Sequence, residues 1–236
     1  VKFFSLTHRT SPLVPYAVAW AYQKELLEKR ARDEVPDTFL FVEHPPTITR
    51  GRGLQRKVGE AGEGEFRSVP LGAVPRGTEY FEIERGGDLT WHGPGQLVIY
   101  PIVKLDGKDY GPDHDVTGFL RKLEQSIGEW VESYGLQPEY REGSTGIWLK
   151  DSQKKIASIG IAVRKWVTYH GVGINLSNSM DGFQAISPCG FSPGVMTSLS
   201  RESKEFSGGS GVRYRVEQEI AVVLSGSESN VVSLPI

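Results

Sequence analysis

The chain has a single cysteine, Cys189, in 236 residues, and neither sign of charge is in clear surplus. One thiol cannot close an internal disulfide and suits a reducing compartment. The expected location is the cytoplasm, or the mitochondrial matrix for a processed eukaryotic chain. Lys+Arg 27 against Asp+Glu 29 leaves a formal charge of −2, without the basic excess of a nucleic-acid or anionic-membrane binder. The longest apolar stretches, such as Leu97 to Val103, fall far short of the roughly 20 residues of a spanning helix. The opening residues, VKFFSLTHRTSP, lack the apolar core of an export signal. The 5 histidines, His8, His44, His92, His114 and His170, include no pair at metal-ligand spacing, so no metal is expected. GxxxxGK[ST], GxGxxG and HExxH are absent, which removes the starting point for a P-loop, a Rossmann dinucleotide site or zinc proteolysis. Chemistry at a strand-to-helix nucleophile elbow is not expected either.

What is present is glycine and proline, 28 and 14 residues spread through the chain. They predict many short elements joined by structured turns. Three- and four-residue apolar spacing predicts a helix from Val116 to Tyr134 with Gly135 as a stop. Pro15 and a mixed apolar face of Trp20, Leu26 and Leu27 place another from Pro15 to about Glu34, and a further helix is expected at Gly211 to Leu224. Strands are expected at Phe39 to Val42, Tyr80 to Glu84, Gln96 to Val103 and Gly146 to Leu149. Ile156 to Val163 and Trp166 to Leu176 are expected to form a hairpin turning near Arg164 and Lys165. Segment 51–78 is polar and irregular and reads as a long loop. The sum is one α+β domain over residues 1–236, with a mixed, mostly antiparallel sheet flanked by helices.

Three glycine-containing islands are candidate sites. Arg85-Gly86-Gly87-Asp88-Leu89-Thr90-Trp91-His92-Gly93-Pro94-Gly95-Gln96 lies between two expected strands and is too long for a simple hairpin turn. Its glycines let backbone N–H groups approach a ligand, and Arg85 and His92 can supply charge or hydrogen bonds; a long structural hairpin is the alternative. In Lys155-Ile156-Ala157-Ser158-Ile159-Gly160, strand alternation puts Ser158 and Gly160 on one face and Ile159 on the other. Small residues leave room there for a ligand. Lys155 stands where apolar sequence begins, which desolvates its ammonium unless Lys150, Lys154 and Lys155 are all solvated hairpin charges. In Ser187-Pro188-Cys189-Gly190-Phe191 the cysteine is expected in a tight turn, accessible enough to react, with inert packing as the alternative.

Together with EHPPTITRGR at 43–52, GIW at 146–148 and YHGVGINL at 169–176, these islands resemble the lipoyl/octanoyl transferase family of lipoate biosynthesis. The match runs from about Phe39 to Leu199. The order of its motifs and the 34-residue separation of Lys155 from Cys189 make it specific. Two departures fall at Asp88, where the family generally carries Gln, and Trp91, where Tyr is usual. The resemblance implies a fold shared with biotin and lipoate protein ligases. It implies that Cys189 is the acyl-accepting nucleophile and Lys155 its activating partner. Substrate-binding residues would be Arg85, Gly86, Gly87, Asp88, Leu89, Thr90, Trp91 and His92, then Ser158, Ile159 and Gly160, then His170, Gly171, Val172 and Gly173.

The implied reaction moves an octanoyl or lipoyl group from acyl carrier protein to a lysine of lipoyl domains in 2-oxoacid dehydrogenase complexes and the glycine cleavage H protein. The donor is already a thioester, so neither ATP nor a metal cofactor is required. A free cysteine is only a few per cent thiolate near neutral pH. A neighbouring ammonium favours the thiolate, and Ile156 to Val163 are expected to offer an apolar slot for the acyl chain. Arg50, Arg52, Arg56 and Lys57 form a basic stretch that can dock the acidic carrier. A monomer is expected. An ATP-dependent lipoate or biotin ligase of the same fold is the rival enzyme, and a non-catalytic acyl- or carrier-binding protein is a second alternative.

Overall fold

Eleven strands, among the described residues 1–8, 10–53, 76–107, 112–186, 192–208 and 211–236 of a computed structural model, form two sheets. The larger contains β1 (Lys2–Thr7), β2 (Thr38–Val42), β6 (Gln96–Ile102), β7 (Pro138–Glu139), β8 (Gly146–Leu149), β9 (Lys155–Arg164), β10 (Val167–Asn175) and β11 (Val231–Pro235). Their order is β11-β1-β2-β6-β10-β9-β8-β7. The smaller sheet, in the order β4-β3-β5, contains β3 (Thr47–Arg50), β4 (Glu79–Glu82) and β5 (Leu89–His92). β1 lies parallel to β11 and β2, and β3 parallel to β4; the other pairings are antiparallel. This is the expected mixed, mostly antiparallel α+β architecture.

Helix α1 (Tyr16–Ala31) starts directly after Pro15 and ends three residues before the expected Glu34, because Asp33 takes a left-handed conformation and its N–H returns to Arg30 O. Helix α2 (Val116–Glu132) is capped by Asp115, whose carboxylate accepts the Gly118 N–H at 2.8 Å. Gly135, at φ 73°, follows it as expected. Two short helices, α3 (Asp181–Gln184) and α4 (Leu199–Glu202), precede α5 (Val212–Ser225). None of these helices is long and apolar enough to cross a membrane.

Period-two alternation divides the core. From β6, Leu97 and Ile99 join Phe119, Leu123, Ile127 and Trp130 of α2 and Ile220 of α5 in one cluster. Val98, Tyr100 and Ile102 point the other way, toward Tyr16, Ala19, Leu26 and Leu27 of α1. Each fully buried aliphatic side chain contributes about 1.5–3 kcal/mol relative to exposure. α2 and α5 therefore cover one face of the large sheet, and α1 covers part of the other.

Short elements account for most departures from expectation. β1, β3, β7, β11, α3 and α4 were not expected; β3, β7, α3 and α4 have four residues or fewer, and β1 and β11 lie near the chain ends among mixed polar and apolar residues. The island at 85–96 is not one loop, because Leu89–His92 forms β5 and pairs antiparallel with β3. The β9–β10 hairpin turns at Lys165 and Trp166, both at positive φ, next to the expected position. Of the expected long loop at 51–78, residues 54–75 lie outside the described residues.

Candidate active site

A cleft of about 500 Å³, counting its open mouth, lies between the uncovered part of the large sheet and the small sheet. Its floor takes Gln96, Val98 and Tyr100 from β6, Gly171 and Gly173 from β10, and Ser158 and Gly160 from β9. Its wall takes Arg85, Gly86 and Gly87 together with Thr90 and His92 of β5; Tyr16, the first residue of α1, closes one end. Val98 supplies an aliphatic side chain, and Ile159 and Val172 border the cleft while their side chains pack in the core on the other face of the sheet. Arg85 is buried and acts as a pin: its guanidinium donates to Thr49 O at 2.7 Å, Asp88 O at 2.6 Å and Gly86 O at 2.9 Å. The charge that orders the glycine turn is thereby held at the cleft wall.

Three buried histidines stand around the cleft, each oriented by a side-chain partner. Gln96 Nε2 donates to Trp91 O and Asn175 Oδ1, so its Oε1 accepts the His92 Nδ1–H at 2.7 Å. His44 donates Nδ1–H to Val14 O at 2.6 Å and accepts from the Tyr100 hydroxyl at 2.7 Å. His170 donates Nε2–H to Glu84 at 3.3 Å, and its Nδ1 accepts from the Tyr16 hydroxyl at 3.4 Å. Burial drives the pKa of His44 down to about 4 and of His92 to about 3; burial also lowers that of His170. The His170 hydrogen bond, with lesser help from the charges nearby, holds Glu84 down at about 2. Burial raises both tyrosine hydroxyls. At neutral pH the cleft therefore presents neutral imidazoles and neutral phenols over one carboxylate.

These shifts fix the sign of an acid instability. A histidine whose folded pKa lies below its unfolded value near 6.5 binds its proton first in the unfolded chain. Stability is intact above pH 6.5 and declines as pH falls toward the folded values. His44 and His92 should each remove about 2 kcal/mol by pH 5, at about 1.4 kcal/mol per pH unit. Glu84 acts in the same direction only below pH 4.5, so the histidines dominate the window from 7 to 5. Thermal melts across that window should show a falling midpoint, with a shallower slope in His92→Gln. A flat profile would count against neutral, buried imidazoles.

An irregularity in β9 turns Lys155 to the sheet face that carries the cleft floor, although Lys155 is not itself among the residues lining the cleft. Trp148 pairs with Lys155 but Ile147 pairs with Ala157, which leaves Ile156 as an extra residue. Ile156 and Ala157, although consecutive, both pack in the α2 core. The bulge puts Lys155 on the same face as Ser158 and Gly160. Its side chain is buried, at 2% exposure, while Lys150 is exposed and Lys154 half-exposed. The ammonium donates to Thr145 O at 2.8 Å and stands 5.3 Å from the centre of the Trp148 ring. Gly146 makes room for it: a Cβ there would lie 2.5 Å from Lys155 Cε, and its φ of 136° suits glycine.

Cys189 lies outside the described residues, as do 187–191 in full. The chain on their far side is tied to Lys155. Met196 forms a parallel bridge with Lys155, and the Thr197 N–H donates to Lys155 O at 3.0 Å. Thr197 O in turn accepts from Asn175, linking this segment through Gln96 to His92.

Of the residues singled out in the sequence, Arg85, Gly86, Gly87, Thr90, His92, Ser158, Ile159, Gly160, His170, Gly171, Val172 and Gly173 line the cleft. Leu89 and Trp91 instead pack with Ile48, Met180 and Phe183 in a second small core, because alternation along β5 sends them opposite to Thr90 and His92. Asp88 is buried beneath the turn, its carbonyl serving Arg85. Ile156, Ile159, Ile161 and Val172 all pack in the core under α2, so the aliphatic side chain on the cleft floor is Val98 of β6 rather than the run 156–163. In the basic stretch, Arg50 stands 3.8 Å from Glu82 and Arg52 is exposed, while Arg56 and Lys57 lie outside the described residues. Gln96 ends the first island but was not assigned to substrate binding, and Tyr16, Val98 and Tyr100 were not singled out; the shared period-two face of Gln96, Val98 and Tyr100 was the available signal. One string, Gly190-Phe191-Ser192-Pro193-Gly194, does fit G-x-S-x-G. Ser192 is exposed and precedes a single 3₁₀ turn rather than the helix of a nucleophile elbow.

Known proteins resemble this chain both in sequence and in fold. The lipoyl protein ligase A/B catalytic domain family matches residues 15–221. An octanoyltransferase of Rubrobacter xylanophilus is 40% identical over 195 residues, 82% of this chain and 82% of its own. One of Thermobifida fusca is 37% identical over 220 residues, 91% of this chain and 86% of its own. The bipartite lipoate protein ligase of Thermoplasma acidophilum superposes with a TM-score of 0.66 at 13% identity, covering 99% of this chain and 88% of that one. At that identity the likeness is one of fold.

Proposed function

The chain belongs to the lipoyl protein ligase A/B catalytic domain family, in its octanoyltransferase branch, and on that premise we propose a transfer of octanoyl groups through a thioester on Cys189. The donor is octanoyl-acyl carrier protein, and the acceptor is a lysine of lipoyl domains in 2-oxoacid dehydrogenase complexes and the glycine cleavage H protein. The observation that supports the reading is Lys155, a buried ammonium on the same sheet face as Ser158 and Gly160, bridged at Met196 to the segment that follows Cys189 in sequence.

The resting pair is Cys189 thiolate and Lys155 ammonium. The thiolate adds to the donor carbonyl; a C–S bond to Cys189 forms and the C–S bond to the carrier breaks. The departing carrier thiolate takes a proton from Lys155. The acceptor amine then attacks the new thioester, a C–N bond forms, and the amine proton passes to neutral Lys155 as the Cys189 thiolate leaves. One pair thus serves both halves as acid and then base. Glycine-turn N–H groups can receive the oxyanion. Val98 and the glycine-lined floor shelter the acyl chain, worth about 0.8 kcal/mol per buried CH₂. No ATP enters, since thioester exchange is nearly balanced and aminolysis runs downhill.

Mixing the protein with octanoyl-acyl carrier protein and mapping peptides by mass spectrometry should find the octanoyl group on the peptide containing Cys189. Cys189→Ser should carry no adduct and transfer nothing to a lipoyl domain. Retained transfer by Cys189→Ser, dependent on ATP and free octanoate, would instead establish a ligase.

A further inference from the structure

Glu124 is a buried carboxylate that the transfer reaction has not used. It sits on the core face of α2 between Leu123 and Ile127 with 1% exposure, where an apolar residue would fill the space without the desolvation of a charge. One oxygen, Oε2, meets Arg121 Nη1 at 2.5 Å, and Arg121 itself is half exposed. The other, Oε1, accepts the Gly146 N–H at 2.8 Å. The carbonyl of that same peptide, Thr145 O, accepts from Lys155 Nζ at 2.8 Å.

In a trans peptide the N–H and C=O point in opposite directions. The carboxylate and the ammonium therefore stand at the two ends of one peptide dipole, each at the pole that favours it. Hydrogen bonds in such a chain polarise one another. We propose that Glu124 is a positioning residue for Lys155: through the Thr145–Gly146 peptide it fixes the direction of the ammonium and strengthens its hold on the proton. The inference rests on the reading of Lys155 as the proton-handling partner of Cys189. Gly146 supplies the space for the lysine, and Glu124 supplies the orientation of the peptide.

The charged groups around Lys155 come from several elements. Glu124 and Arg121 act from α2, and Arg141 stacks 4.2 Å from the centre of the Trp148 ring of β8. Lys154 precedes Lys155 in sequence and stands 3.7 Å from Glu202 of α4, which also accepts from Thr197 Oγ1 at 2.6 Å. Changing Glu124 alone leaves Arg141, Lys154 and Glu202 in place. Loss of its charge, with Arg121 unpaired behind it, weakens the ammonium. Loss of Arg121 alone strengthens it.

The test is the pH dependence of single-turnover octanoyl transfer and of Cys189 alkylation in E124Q, R121Q and K155M, with thermal melts alongside. E124Q should lower kcat about tenfold, leave KM for the carrier within about twofold, and move the midpoints acidward by about half to one pH unit. R121Q should move them the opposite way. A lower melting temperature in E124Q with unmoved midpoints would overturn the inference, as would R121Q shifting in the same direction as E124Q. If E124Q fails to fold, R121Q decides alone: an alkaline shift supports the role and an unmoved midpoint overturns it. If K155M moves neither profile, the reading of Lys155 falls and this inference with it; if K155M moves them and E124Q does not, only the inference falls.

Discussion

Lys155→Met should reduce octanoyl transfer by about 10²–10⁴-fold, the usual worth of a positioned acid–base group, and leave the melting temperature unchanged or raised. The two halves of this expectation have different physical origins. Catalytically, the lysine supplies the proton that lets the carrier thiolate leave and later takes the one released by the attacking amine. Methionine can do neither. It also withdraws the cation that favours the Cys189 thiolate, so the alkylation profile should move toward the pKa of an ordinary cysteine, near 8.5. Structurally, an ammonium buried to 2% exposure has lost most of its hydration in exchange for contacts that include one carbonyl at 2.8 Å and one aromatic face. Methionine keeps the volume and removes the desolvation of a charge, which offsets the loss of the donor to Thr145 O. Wild-type turnover would remove the proton-handling role, and a loss of turnover matched by a collapse of the melt would make the lysine structural.

Gly171→Ala should be the most damaging small substitution in the cleft, lowering the melting temperature by roughly 6–12 °C. A Cβ at this position would lie 1.9 Å from Ile99 O and 2.7 Å from Pro101 Cδ, both on the neighbouring strand β6. β6 is hydrogen-bonded on its other side to β2, so relief requires opening the centre of the large sheet. Overpacking of this kind costs about 3 kcal/mol at the upper end of the usual range. For a chain of this length each kcal/mol is worth roughly 2–4 °C. Gly173→Ala is the matched control. Its Cβ would meet first the tip of Gln96 at 3.3 Å, a side chain able to shift by a few tenths of an ångström. It should cost less than about 1 kcal/mol, while still taking space from the cleft. Equal losses in the two variants would contradict this strand packing.

The long, strongly periodic segments are legible in the residue pattern. α2 lies where three- and four-residue spacing puts it, α1 starts where Pro15 places it and α5 falls in the segment expected to be helical. β2, β6, β8, β9 and β10 match their apolar runs within a few residues. The short elements are not legible, since four residues such as Thr47–Arg50 carry too little pattern to separate a strand from a loop. The cleft is legible as sequence islands but not as surfaces. Which members of Arg85 to His92 face it depends on β5, and β5 exists only because β3 pairs with it.

The residue string alone marked out the glycine-rich motifs and, through the resemblance they carry to a known family, one lysine and one cysteine as the residues to follow. Only the tertiary structure decided which way the lysine points. Strict alternation from Ser158 would have sent Lys155 into the core beneath α2, and one extra residue at Ile156 reverses it. His170 likewise shares a face with its neighbour Tyr169, because a left-handed φ of 57° breaks the alternation of β10. The physical reason is common to both. A period-two pattern specifies facing only while the ladder is regular, and a bulge or a left-handed residue is held by contacts distant in sequence.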